Sequence, residues 1–289
     1  MVVTLHPLVA DTAVCFARVD VVGTALALLR CEPVAPSERA PVLLVPGYTG
    51  SKEDFRLLLP QLAAAGHQAV ALDQRGQFQS PGPDDPGAYA VSALADDLLA
   101  VVDDLVPPGG GGVHLVGHSF GGLVARAAVL RRPEAFRSLV LMGSGPAGLT
   151  GPRVALLPLI RPLLEQGMAV LVEAMDAMNA GDARFLALDA SVQGFLRDRM
   201  IASSAAGLIG MADGLTGEPD QVDALRSTGV PGLVLHGHDD DAWAPSLQAE
   251  MAARLGARHV VVPQAAHSPA VEQPEATLEA LVAFFADQH

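Results

Sequence analysis

The chain has 289 residues, half of them hydrophobic and 17% charged, with a formal net charge of −14. It is long enough to bury one large core or two modest ones, and its acid surplus argues against a nucleic-acid backbone or an anionic membrane surface as partner. No stretch approaches the roughly 18 uninterrupted apolar residues of a membrane span. Residues 1–15 lack the basic start and apolar run of a secretory signal, so a soluble, cytoplasmic protein is expected.

In chain order, Cys15 and Cys31 come first, in neighbouring segments; two free buried thiols are expected rather than a bridge across a hairpin. "APVLLVPG" (40–47) is a short Val/Leu run closed by Pro and Gly, the pattern of a strand buried on both faces. Ser51 with Asp54 three residues on is a capping-box-like start, followed by Phe55, Leu58, Leu59 and Leu62 on one helical face. The neighbouring Lys52 is the only lysine in the chain. A second strand run, "HQAVALDQRG" (67–76), precedes a helix carrying Leu94, Leu98, Val101, Val102 and Leu105. Asp96, Asp97, Asp103 and Asp104 are expected on its solvated side. Pro107 and Pro108 end that helix in a glycine-rich turn.

Further strand runs follow at 112–119, 137–144, 231–237 and 258–264. This alternation predicts an α/β architecture, a mostly parallel sheet with helices on both faces. The rhythm breaks between Pro146 and Ser227, where no strand is evident. The segment holds five of the eight methionines (Met168, Met175, Met178, Met200 and Met211), with Phe185 and Phe195. Residues 146–227 are therefore expected to form a helical insertion over the sheet's carboxyl edge. Residues 1–145 and 228–289 are expected to form the core. The insertion's apolar residues either pack it down or line a cavity.

"VHLVGHSFGG" gives Gly117-His118-Ser119-Phe120-Gly121, a G-x-S-x-G between a strand and the helical run "LVARAAVL". The motif needs that context: a sharp strand-to-helix turn lifts the serine hydroxyl clear of the backbone at the positive end of a helix. From about residue 20 to its end the chain resembles the α/β-hydrolase fold serine hydrolases. The resemblance implies an α/β-hydrolase fold with a helical lid or cap at 146–227 and Ser119 as nucleophile. It implies His267 as base, within the H-S-P-x-x-E-x-P phrase after the last strand. His6, His67, His114, His236, His259 and His289 lack such context; His118 is expected to pack beside the nucleophile, and His238 is a weaker alternative base.

The acid of such a triad fixes the tautomer of the base, and the family carries it in the loop where "GHDDDAWAP" falls. Counted from Gly237 it is Asp240; counted back from Pro245 it is Asp241; Asp239 comes third. The strand-anchored count is preferred because strand ends are fixed while loops tolerate insertion. For the oxyanion hole the resemblance implies the backbone N–H groups of Phe120 and Tyr48, although Pro46-Gly47 stands where the family often has His-Gly. The Tyr48 ring either enters the pocket or packs. "LDQRGQFQS" resembles the family's Asp-x-Arg-Gly-x-Gly-x-Ser turn, with Asp73, Arg75 and Gly76 structural and Phe78 replacing the second glycine. Trp243, beside the acid loop, either touches substrate or packs in the core, and the core is the expectation. The implied activity is hydrolysis of an ester, thioester or lactone of a small to medium apolar acyl group. Acyl transfer or cyclisation, carbon–carbon hydrolysis, haloperoxidase-like chemistry and a binding role without turnover are the alternatives. No cofactor and no metal are expected, since no dinucleotide fingerprint, metal-ligand spacing or phosphate loop is present.

Overall fold

The computed structural model describes residues 13–288 except Pro108 and Pro152; His6 and His289 lie outside that set. Among the described residues one eight-stranded sheet organises the chain. Its strands are β1 (Val14–Val21), β2 (Thr24–Cys31), β3 (Val42–Val45), β4 (Ala69–Leu72), β5 (Val113–His118), β6 (Phe136–Met142), β7 (Gly232–Gly237) and β8 (Arg258–Val262). They lie in the order β1-β2-β4-β3-β5-β6-β7-β8. All neighbours from β4 to β8 run parallel, while β2 runs antiparallel to both its neighbours, β1 and β4.

The six parallel strands coincide with the six apolar runs of the sequence. Side chains alternate along each, so that Leu43 and Val45 join one core while Val42 and Leu44 join the other. The first core is covered by α2 (Val91–Leu105), α3 (Phe120–Arg131) and α10 (Pro245–Leu255). The second is covered by α1 (Leu59–Ala64), α11 (Pro269–Glu272) and α12 (Pro274–Ala286). Phe55, Leu58, Leu59 and Leu62 are all buried there.

The β1–β2 hairpin is not among the strands expected from the sequence; β1, at the sheet edge and largely wet, breaks its apolar residues with Arg18 and Asp20. Its register corrects the reading of the cysteines. Cys15 pairs with Arg30 and Cys31 with Val14, so the thiols point to opposite faces, and Cys15 is exposed rather than buried. A second correction concerns α2. Asp97 is buried and takes both Nε and Nη2 of Arg75, while Asp96, Asp103 and Asp104 pair with Arg131, Arg132 and Arg30. Burial raises the Asp97 carboxyl and the Arg75 contacts draw it back.

Between β6 and β7 the chain forms α4 (Leu157–Glu165), α5 (Met168–Asn179), α6 (Ala183–Leu186), α7 (Ala190–Ala202), α8 (Ala205–Gly217) and α9 (Val222–Ser227). Leu164, Leu171, Val172, Met200, Leu208 and Ile209 make a small apolar cluster of their own. Met211 belongs to the main core instead, and Met178 faces solvent. These helices pack over the carboxyl ends of β3 and β4: Ser204 N–H donates to the Gly76 carbonyl at 2.7 Å and Tyr48 Oη to the Leu208 carbonyl at 2.9 Å. No helix among the described residues is long and apolar enough to cross a membrane.

Candidate active site

The turn from β5 into α3 holds Ser119 at φ 55°, ψ −121°, a conformation that L side chains rarely adopt. The flanking glycines make that turn possible. A Cβ on Gly117 would lie 2.5 Å from the Gly121 carbonyl oxygen, and one on Gly121 would lie 2.5 Å from those of Val45 and Pro46. Only hydrogen fits at either position, and the helix therefore approaches the sheet closely enough to project the serine. Ser119 is 7% exposed. Phe120 opens α3, so its N–H is one of the helix-end donors with no intrahelical acceptor.

His267, in the loop after β8, brings Nε2 to 2.9 Å from Ser119 Oγ and Nδ1 to 3.0 Å from Asp240 Oδ1. Asp240 is 5% exposed and also accepts from the Ala242 N–H at 2.9 Å and from Gln248 Nε2 at 2.8 Å. Burial alone would raise its carboxyl, but those hydrogen bonds and His267 hold it below the ordinary carboxylate range. A chain of hydrogen bonds thus runs from a buried carboxylate to a serine hydroxyl. Such a chain can draw a proton from the hydroxyl while the carboxylate steadies the resulting imidazolium.

The other two aspartates sit elsewhere. Asp241 pairs with Arg153 on the surface, and Asp239 bonds to His238 Nδ1 at 2.6 Å, both exposed. Of the two counts along the loop, the one anchored on the strand lands on the carboxylate beside His267. Trp243 is buried, with Nε1 donating to the Ala147 carbonyl at 3.2 Å and its ring centroid 6.3 Å from that of His267. His118 bonds through Nε2 to the His267 carbonyl at 2.8 Å. Burial, with His267 nearby, pushes its pKa down to about 4. It is thus neutral near pH 7, and its Nε2–H is the donor to that carbonyl.

The Tyr48 ring packs between the main core and the helical segment. Its hydroxyl, held by Leu208, is pushed well above the usual phenol range by burial. The 73–80 turn lies behind the same loop. Asp73 accepts from Lys52 N at 2.8 Å and from Lys52 Nζ at 2.7 Å, and both side chains are fully buried. Burial raises Asp73 to about 6, with Lys52 pulling the other way. Phe78, where the resembling family has glycine, takes φ 37°. Its ring lies 4.7 Å from Lys52 Nζ and edge-on to Phe195 of α7 at 5.7 Å.

Some residues had no signal in the sequence. Gln248, on α10, was not anticipated, because a glutamine in an amphipathic helix reads as surface. Glu272 accepts from the Ala266 N–H just before His267; it was legible only as the E of H-S-P-x-x-E. Gln74 and Gln77 were not anticipated either. Among the described residues no cluster of three or more His, Cys, Asp or Glu side chains could hold a metal ion.

Comparison with known proteins agrees with this architecture. The family model of the alpha/beta hydrolase family matches residues 42–280. A protein of Variovorax paradoxus (strain S110) named as a carbamate hydrolase is 38% identical over 116 residues, 40% of this chain and 42% of its own. That match spans less than half the relative's length. A proline iminopeptidase of Lacticaseibacillus rhamnosus is 28% identical over 233 residues, 72% of this chain and 76% of the relative. The solved structure of a thermophilic esterase from Thermogutta terrifontis superposes with a TM-score of 0.75 at 24% identity, covering 95% of this chain and 99% of that one. At that identity the likeness is one of fold. The chain belongs to the alpha/beta hydrolase family.

Proposed function

We propose that the protein is a serine hydrolase cleaving an ester, thioester or lactone of a small to medium apolar acyl group. Ser119 Oγ attacks the acyl carbon as its proton passes to His267 Nε2, and Asp240 stabilises the imidazolium. The carbonyl oxygen becomes an oxyanion received by the N–H groups of Tyr48 and Phe120. His267 then returns the proton to the leaving alcohol or thiol, leaving an acyl-Ser119 ester. A water molecule, deprotonated by His267, attacks that ester and releases the acid and the free serine. Residues 146–227 act as a cap whose apolar cluster, abutting Tyr48, receives the acyl chain.

One observation carries this reading: the unbroken hydrogen-bonded chain from Asp240 through His267 to a serine on a strained turn. The choice of an apolar acyl group is supported by Leu208, Ile209 and Met200 clustering with Tyr48. A fluorophosphonate label followed by peptide mapping tests the nucleophile. Label should fall on Ser119 and be lost in His267→Ala. Hydrolysis of short p-nitrophenyl esters should fall at least about 10⁴-fold in Ser119→Ala, and turnover kept in that variant would overturn the assignment.

A further inference from the structure

Gln77 is 1% exposed, and its side-chain amide is fixed at both ends. Oε1 accepts from the Gln74 N–H at 3.0 Å; Nε2 donates to the Gly47 carbonyl at 2.7 Å and to that of Tyr48 at 3.3 Å. Turning the amide over would set oxygen against oxygen and NH₂ against N–H, so the network admits one orientation. Beside it, Gln74 Nε2 donates to the Pro46 carbonyl at 2.9 Å. Three successive carbonyls of the loop after β3 are therefore held by side chains of the 73–80 turn.

In a trans peptide the C=O and N–H point to opposite sides. With the Gly47 carbonyl drawn toward Gln77, the N–H of the same peptide, that of Tyr48, faces away from the turn. It donates to no acceptor among the described residues. A Cβ on Gly47 would stand 3.5 Å from Ser119 Oγ and 3.1 Å from Ser119 Cβ, so this peptide runs directly beside the serine.

We infer that Gln77 is a positioning residue for the oxyanion hole: by fixing the Gly47–Tyr48 peptide plane it aims the Tyr48 N–H at the oxygen that gains charge. The inference rests on the proposed roles of Ser119 and the Tyr48 N–H. Pro46, which has no side-chain donor or acceptor, cannot shape the loop in this way, and the two glutamines do so from behind. The turn that presents them is anchored in turn by the Lys52–Asp73 pair and by Ser80, whose hydroxyl donates to the Asp73 carbonyl at 2.8 Å.

The test compares the wild-type protein with Gln77→Met, which keeps the bulk and removes the amide, and Gln77→Glu, which keeps the shape and replaces the donor by an acceptor. Each is assayed for kcat and KM on p-nitrophenyl butyrate and for inhibition by an alkyl trifluoromethyl ketone, with Tm as the check on folding. The ketone reports the hole because Ser119 Oγ adds to its carbonyl carbon, the serine proton passes to His267, and the carbonyl oxygen becomes an oxyanion. The expected result is a fall in kcat of about 10- to 100-fold with KM held within about twofold, and a ketone affinity weakened by the same factor as kcat. A residue that merely stabilised the fold would move Tm without that split. Unchanged kcat in a folded variant, or lost kcat with unchanged ketone affinity, overturns the inference. Ser119→Ala in the same assay separates the two levels. Turnover retained there removes the premise, whereas turnover lost there but retained in Gln77→Met and Gln77→Glu overturns the role of Gln77 alone.

Discussion

The carboxyl edge of the sheet and the helices of residues 146–227 use charge in opposite ways. At the sheet edge Asp73, Lys52, Gln74, Gln77, His118, Asp240 and Gln248 are all buried and bonded to groups from other loops. In the helical segment the pairs Arg161–Asp213 and Arg197–Asp176 stand in solvent, and Leu159, Met178 and Leu186 are exposed beside them. A buried polar network has low tolerance, because removing one member strands its partners. An exposed ion pair contributes about 0–1 kcal/mol. The edge therefore holds its side chains more firmly than the helices above it hold theirs. Two less exposed pairs cross between the regions: Arg199 of α7 with Asp54 at 2.6 Å, and the buried Arg126 of α3 with Glu218 at 3.2 Å.

Substitutions sharpen this contrast. At the edge, Asp240→Asn should lower kcat/KM by about 10⁴-fold, as loss of the triad acid does elsewhere. Asp241→Asn, which removes only a surface partner of Arg153, should stay within about twofold of wild type. The reverse order in ester hydrolysis would reassign the acid. Lys52→Met should cost about 3–5 kcal/mol in urea unfolding, since Asp73 is left buried and unpaired, and a second change, Asp73→Asn, should restore most of it. A loss under 1 kcal/mol would mean that the pair is not desolvated as described.

The histidine beside Ser119 makes stability pH-dependent. Folded His118 titrates at about 4 against 6.5 for the ordinary side chain. Between those values the unfolded chain takes up a proton that the folded one refuses, so stability falls as pH drops from 6.5 toward 4. His118→Gln should flatten that slope of unfolding free energy against pH; an unchanged slope would place the titration elsewhere. The smallest effect belongs to the helices. Arg197→Ala should change stability by less than about 1 kcal/mol and leave kcat unaltered, and a larger loss would break the comparison.

Much of this arrangement was legible in the sequence, for physical reasons that also explain the gaps. Strands buried on both faces must be continuously apolar, so the six parallel strands stand out. The serine turn can be made only with glycine at 117 and 121, which leaves a motif. The loop acid sits at a fixed step from the end of β7, which favoured Asp240 over Asp241. By contrast, β1 at the sheet edge mixes Arg18 and Asp20 among its apolar residues and lies largely in water, so it has no continuous apolar run to mark it. Asp97 lies among four acids on α2, and only the fold brings Arg75 against it. Gln77 and Gln248 act through amides that could bond to almost anything; the contacts that matter, to Gly47 and Asp240, are 30 and 8 residues away, and no local spacing announces them.

The single lysine has a practical meaning. Its amine is the only side-chain amine of the protein, and it is enclosed between Asp73, Gln79 and the Phe78 ring. An acylating reagent in the medium can reach it only when the 73–80 turn opens. The rate at which Lys52 is modified, followed by peptide mapping to separate it from acylation at Ser119 or the α-amine, is thus a clock for local unfolding of the turn that carries Gln77. It reads out the rigidity of this corner without any substrate being known.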